Sequence, residues 1–263
     1  MAIVPFLAMT AAEMRCHSAF PEKIAWMACH FSPYGIGLSN LPRELPPGSL
    51  LMVDDITPPH GHDPDFIAAQ LSACLEDFQC CGVLLDFQRS GCEETRSISA
   101  QLAVALPCPV AVSACYADGL DCPVFLPSVP PSVPLETYLA PWQGRDIWLE
   151  LGLDGELLTL TEQGCQAASL PCPDWEAKGF AEETLHCHYA IETEEASARF
   201  TLWRTKEDLE ALLEETEKSG IVGCVGLYQE LQRLSLPPGG RWPEGPDEGW
   251  RTPEVPNKSA TST

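Results

Sequence analysis

The residues with the clearest chemical potential are Asp86 and Gln88, an acid and an amide two positions apart at the end of the run Cys80-Cys81-Gly82-Val83-Leu84-Leu85. A short, nearly continuous apolar run is the pattern of a parallel strand buried on both faces. Alternate residues of a strand share a face, so Leu84, Asp86 and Gln88 point the same way. Polar groups at the C-terminal end of a barrel strand sit where the connecting loops gather ligands. The competing reading is that Asp86 only caps or bonds a neighbouring loop, and the stretch by itself weighs equally for both.

Other acids at predicted strand ends are Asp54, Asp55, Glu150 and Glu230, each of which reads equally as a loop-capping or surface carboxylate. Tyr34, Trp148 and Tyr228 are candidate apolar floors for a ring-shaped ligand, with core or rim packing as the plainer alternative. The histidines define a rival chemistry. His60 and His62 share a loop, His186 and His188 share a face of one predicted strand, and His30 ends another, which raises a metal-dependent hydrolase. His186 and His188 lie early in their strand, low in the barrel and away from its loop face, and His60 and His62 have no third ligand nearby in sequence, so no metal or other cofactor is expected.

The chain that must position these groups has 263 residues, 45% of them hydrophobic, which suits one large domain with a substantial core. Its net charge of -23, from 38 acids against 15 Lys and Arg, repels phosphate backbones and anionic lipid surfaces. Nucleic acid and membrane are therefore poor partners. Thirteen cysteines form no CxxC pair, and most fall in apolar runs where they act as small hydrophobes. The apolar start, Met1 to Met14, lacks a preceding basic residue and a small-residue cleavage site. No run is long enough to span a bilayer. A cytoplasmic protein with reduced thiols is the expectation.

Core strands are predicted at 24–31, 50–54, 82–88, 109–115, 123–126, 146–151, 185–191 and 221–227. Asp63 and Pro64 open a helix with one apolar face, and a second helix spans about Glu93 to Leu106. Thr205 with Asp208 three residues on starts another that ends at Gly220. Eight strands with intervening helices make an α/β, (β/α)8 TIM-type barrel, somewhat degenerate because strands four and five lack a helix between them. Two hairpins interrupt its second half, one at Asp154-Gly155 and one around the acidic tip between 192 and 198. Residues 1–236 read as a single domain, and 237–263, rich in Pro, Gly and charge, as a disordered tail.

The segment FIAAQLSACLEDFQCCGVLLDFQ resembles the helix and strand that carry the signature of glycoside hydrolase family 18, Asp-Gly-φ-Asp-φ-Asp-x-Glu with φ apolar. The segments LLTLTEQGCQAA and HCHYAIETEEASARFTLWRTKEDLEALLEETEKSGIVGCVGLYQEL resemble the end of the family's spore-cortex branch. The resemblance spans about residues 24 to 235 as an order of elements, with partial motif matches. Gly82 and Asp86 keep their signature residues, Cys81 and Leu84 replace the first two aspartates, and Gln88 stands at the catalytic glutamate.

In the family that glutamate protonates the glycosidic oxygen while the substrate's N-acetyl group attacks the sugar carbon, oriented by the aspartate. An amide has no proton to give, and general acid catalysis is worth roughly 10² to 10⁴ in rate. The resemblance thus implies a non-catalytic or weakly active barrel that binds an N-acetylhexosamine glycan, chitin- or peptidoglycan-like, at its C-terminal face. The alternatives are an active glycosidase with a relocated acid, Glu150 or Glu230, and a structural or interaction protein with no sugar ligand.

Overall fold

The computed structural model describes residues 3–16, 21, 23–89, 91–170 and 178–232. The tail expected to be disordered, 237–263, lies outside the described residues. In chain order the elements begin β1 (Phe6–Met9), α1 (Ala11–Cys16), β2 (Ile24–Phe31), β3 (Leu38–Ser39), β4 (Leu50–Asp54), α2 (Pro64–Phe78) and β5 (Gly82–Asp86). They continue with α3 (Glu93–Ala105), β6 (Val110–Ser113), β7 (Val124–Leu126), α4 (Leu135–Leu139), a 3-10 turn and β8 (Ile147–Leu151). The second half adds β9 (Gly155–Thr161), β10 (Gly164–Leu170), β11 (Phe180–Glu182), β12 (Cys187–Glu194), β13 (Ser197–Trp203), α5 (Lys206–Lys218), β14 (Ile221–Leu227) and α6 (Tyr228–Leu231).

Eight strands, β1, β2, β4, β5, β6, β7, β8 and β14, pair in parallel, and β1 closes the ring by pairing with both β14 and β2. This is a (β/α)8 barrel. Strand alternation divides its core in two. Leu51, Val53, Val83 and Leu85 face outward to the helices. Leu50, Met52, Leu84, Ala111, Phe125 and Val225 fill the interior together with Phe6 and the half-buried Trp148. The inward columns Leu50–Met52–Asp54, Gly82–Leu84–Asp86 and Trp148–Glu150 each end in a carboxylate at the C-terminal mouth.

The caps are those the residue types dictate. Asp63 accepts the Asp65 N–H at the start of α2, with Pro64 at its first position. Thr205 and Asp208 form a reciprocal capping box on α5.

The structure corrects the strand count. The segment expected as the seventh barrel strand, 185–191, belongs instead to a five-stranded antiparallel sheet ordered β10-β9-β13-β12-β11. The missing barrel strand is β1, four buried residues in an apolar start to which the sequence reading assigns no element. With β1 included, the strand bearing Asp86 is the fourth of the barrel.

The Asp154-Gly155 pair does not turn a hairpin either. Glu230 Oε2 accepts the Leu153 N–H at 2.9 Å and Asp154 O accepts the Arg204 N–H at 3.2 Å, and these bonds divert the chain out of the barrel. The hairpin turns between Thr161 and Gly164, where β9 meets β10. The second expected hairpin, β12 with β13, is present.

Candidate functional site

Asp54 and Asp86 are registered neighbours on β4 and β5, so their side chains meet on the inner face at the top of the barrel. Glu150 reaches the same space from β8. Burial is the first cause of an upward shift in all three. Asp86 is raised further by Asp54 and Asp55 and lowered by its bond to Gln88. Glu150 is pushed up to about 7 by burial, then by Asp86 and Asp154, against a backbone bond from Ser128. Crowded carboxylates in a partly desolvated space hold protons that water would remove. The mouth thus contains an acid that titrates near neutrality, a property suited to proton transfer.

Gln88 enters from a loop fixed on both sides. Its backbone N–H and that of Arg89 each donate to Asp55, to Oδ1 and Oδ2 respectively, at 3.0 Å. Ser113 Oγ accepts the Phe87 N–H and donates to Leu85 O, both at 2.9 Å. The Tyr116 hydroxyl donates to Arg89 O. Asp55, only 4% exposed, spends both carboxylate oxygens on this loop. The exposed Gln88 side chain then reaches back, its Nε2 donating to Asp86 at 3.3 and 3.4 Å.

Glu230 lies against the β8–β9 connection, held by Leu153 N–H, and burial raises its carboxyl. Two neighbours escaped the sequence reading. Tyr138, from the short helix α4, donates its hydroxyl to Pro127 O at 2.9 Å. Its phenol is pushed up to about 12 by burial, then by Glu150 and Asp154. Asp154 has a buried Oδ2 with no hydrogen-bond partner among the described residues. Asp154 carries a turn signature that outweighs any site signal, and Tyr138 has no spacing that marks it.

The aromatic candidates separate. Tyr34 stands 97% exposed on the loop after β2, at the mouth. Trp148 lies inside the barrel below Glu150, its ring 5.6 Å from that of Phe6, and a Cβ on Gly223 would come within 2.7 Å of the indole. Tyr228 is 7% exposed and packs in the outer core with the helices.

The histidines also disperse. His186, in the turn before β12, and His188, on β12 of the antiparallel sheet, pair with Glu215 and Asp208 of α5 at 2.5 and 2.8 Å, rather than sitting low in the barrel. His62 Nε2 lies 3.1 Å from Ser32 O, and His60 lies 3.5 Å from Glu94. His30 registers beside Asp54. Among the described residues no three His, Cys, Asp or Glu side chains converge as metal ligands, and no helix is long and apolar enough to cross a membrane. An open cleft of about 490 Å³ lies beside the mouth between the Pro58–His60 loop and the start of α3.

No protein-family model matches the chain, and no curated protein matches it in sequence. Solved structures do resemble it. The spore cortex-lytic enzyme SleL of Bacillus cereus superposes with a TM-score of 0.52 at 11% identity, covering 85% of this chain and 70% of that one. A mutant GH18 chitinase from Cycas revoluta in complex with (GlcNAc)4 gives 0.51 at 12% identity, over 85% and 94% of the two chains. The chitinase-like agglutinin of Robinia pseudoacacia gives 0.50 at 11% identity, over 84% and 93%. The chain therefore has the fold of the family 18 chitinases and SleL, as its sequence resemblance implies.

Proposed function

We propose that the barrel mouth binds an N-acetylhexosamine-containing glycan, chitin- or peptidoglycan-like, with little or no hydrolysis. The observation that carries this reading is the Gln88 amide held on Asp86 by a doubly anchored loop. The pair keeps the spacing and hydrogen bonding of the family's aspartate and glutamate but has no proton to deliver from position 88. Asp86 remains available to accept a bond from an N-acetyl N–H, and Tyr34 offers an exposed ring at the rim. That an agglutinin shares this fold is consistent with a barrel kept for binding.

Titration calorimetry with N-acetylglucosamine oligomers and muropeptides, run beside a product assay on the same ligands, tests the reading. Heat without products is the expected result. Neither heat nor a thermal shift would leave the interaction protein with no sugar ligand.

One observation favours a second reading, a working glycosidase with a relocated acid. Glu150 titrates near 7 within the influence of Asp86, as a general acid at neutral pH should. Glu230 is the weaker alternative, because Leu153 N–H already occupies its Oε2. This reading requires turnover that Glu150→Gln abolishes and Gln88→Ala leaves intact.

A further inference from the structure

At the opposite end of the barrel, four thiols gather where β5 and β6 begin. Cys80 and Cys81 precede β5, Cys108 precedes β6, and Cys74 lies on the last turns of α2. All four are free in this structure, and none has a part in the proposed site.

The ladder between β5 and β6 pairs Val83 with Val110 and Leu84 with Ala111. Extended two residues below the ladder, the same register would set Cys81 opposite Cys108, whose thiol is raised first by burial and then by Cys81. The chains are side by side immediately above that level: Val83 N–H donates to Pro109 O at 3.0 Å, and a Cβ on Gly82 would lie 2.9 Å from that same oxygen. Registered residues of neighbouring parallel strands project to one side with Cα atoms about 4.8 Å apart, within the roughly 4.4–6.8 Å that a disulfide spans. Cys81 is exposed and Cys108 half-buried, so an oxidant can reach the pair. Burial pushes the Cys81 thiol up, against a backbone bond and Lys23 that both lower it, so alkaline pH supplies the attacking thiolate.

We infer that Cys81 and Cys108 are a redox-reactive pair that closes to a disulfide on exchange with a small-molecule disulfide, tying the base of the Asp86 strand to its neighbour. The Cys81 thiolate attacks one sulfur of the external disulfide, forming a mixed disulfide and expelling one thiolate. The Cys108 thiolate then displaces the second. Two protein S–H groups become one S–S bond, and the external disulfide takes up the two electrons and two protons as two thiols.

The test incubates the full chain with oxidised glutathione and maps its peptides by mass spectrometry without reduction. The expected product is a Cys81–Cys108 cross-linked pair lighter by two hydrogens and reversed by dithiothreitol. Its formation should raise the thermal midpoint of the parent chain, while Cys81→Ser and Cys108→Ser show no oxidation-dependent shift. Because Cys81 is exposed, its serine variant should fold, and the parent protein's map is decisive without either variant. Glutathione adducts alone, a link through Cys74 or Cys80, or unchanged thiols would each overturn the inference.

Discussion

The Gln88 side chain donates to both oxygens of Asp86, at 3.3 and 3.4 Å, so an amide stands where an acid could share a proton with its neighbour. A glutamate there would face Asp86 without a donor and would stay protonated to higher pH, the condition a general acid needs. Gln88→Glu is therefore expected to raise hydrolysis of chitin oligosaccharides by roughly 10²-fold or more. Chromatography of reducing products measures it. An unchanged rate would mean that the mouth lacks more than this one carboxyl.

Glu150 sets a pH dependence for stability. Its carboxyl loses its proton near the ordinary 4.5 when unfolded and near about 7 when folded. Between these values the unfolded chain holds fewer protons, so the Glu150 contribution to stability falls as pH rises through that window and stays low above it. Glu150→Gln removes the ionisation, and should stabilise the protein at pH 8 relative to pH 5 by about 2–3 kcal/mol, given about 1.4 kcal/mol for each pKa unit. Urea denaturation at the two pH values checks the sign. A parent and variant that respond alike would place Glu150 in water.

Asp55 links the ends of β4 and β5. Asp55→Ala strands two backbone N–H groups, those of Gln88 and Arg89, and should cost about 2–4 kcal/mol with a matching loosening of the loop. Asp55→Asn keeps one acceptor and should recover part of the loss. Hydrogen exchange at residues 87–89 reads the loop directly, and unchanged protection there would remove Asp55 from its support.

Tyr34 separates binding from folding. At 97% exposure its ring contributes little to the fold, so Tyr34→Ala should change stability by less than about 0.5 kcal/mol. If the ring stacks on a sugar, the same variant weakens glycan binding by about 1 kcal/mol. Calorimetry against the best-binding oligomer decides. Equal affinities would make Tyr34 a bystander at the rim.

How far the sequence could be read follows from where each signal lies. Asp86 and Gln88 were legible because a buried strand ending in polar groups is a local pattern, and Asp54 and Glu150 follow it. The barrel was legible from its strands and helices, yet β1 was missed because four apolar residues carry no turn or periodicity of their own. The strand 185–191 was misplaced for the opposite reason. Its alternation is genuine, but alternation names a strand and not the sheet that receives it. Asp154 failed similarly: Asp-Gly has strong local turn chemistry, and the long-range bonds from Arg204 and to Glu230 override it. Tyr228 reads as a mouth residue from its place after the last strand, while its side chain turns into the outer core.

Arg204 is where that override can be tested. It is fully buried, with Nε donating to His186 O at 3.2 Å and the two terminal nitrogens directed to Val129 O and Pro130 O. One guanidinium thus ties the antiparallel sheet to the loop above β7, while burial pulls its pKa down against the support of Asp154 first and then Cys187, Asp208 and Glu156. Removing one member of such a buried charged group leaves its partners unpaired, at a cost of about 3–5 kcal/mol. Arg204→Met should lose that amount in urea denaturation at pH 7. Arg204→Lys should regain little, because a single ammonium cannot reproduce a planar fork spread over three carbonyls. A loss under about 1 kcal/mol in the methionine variant would show that the second sheet holds its place on the barrel without this contact.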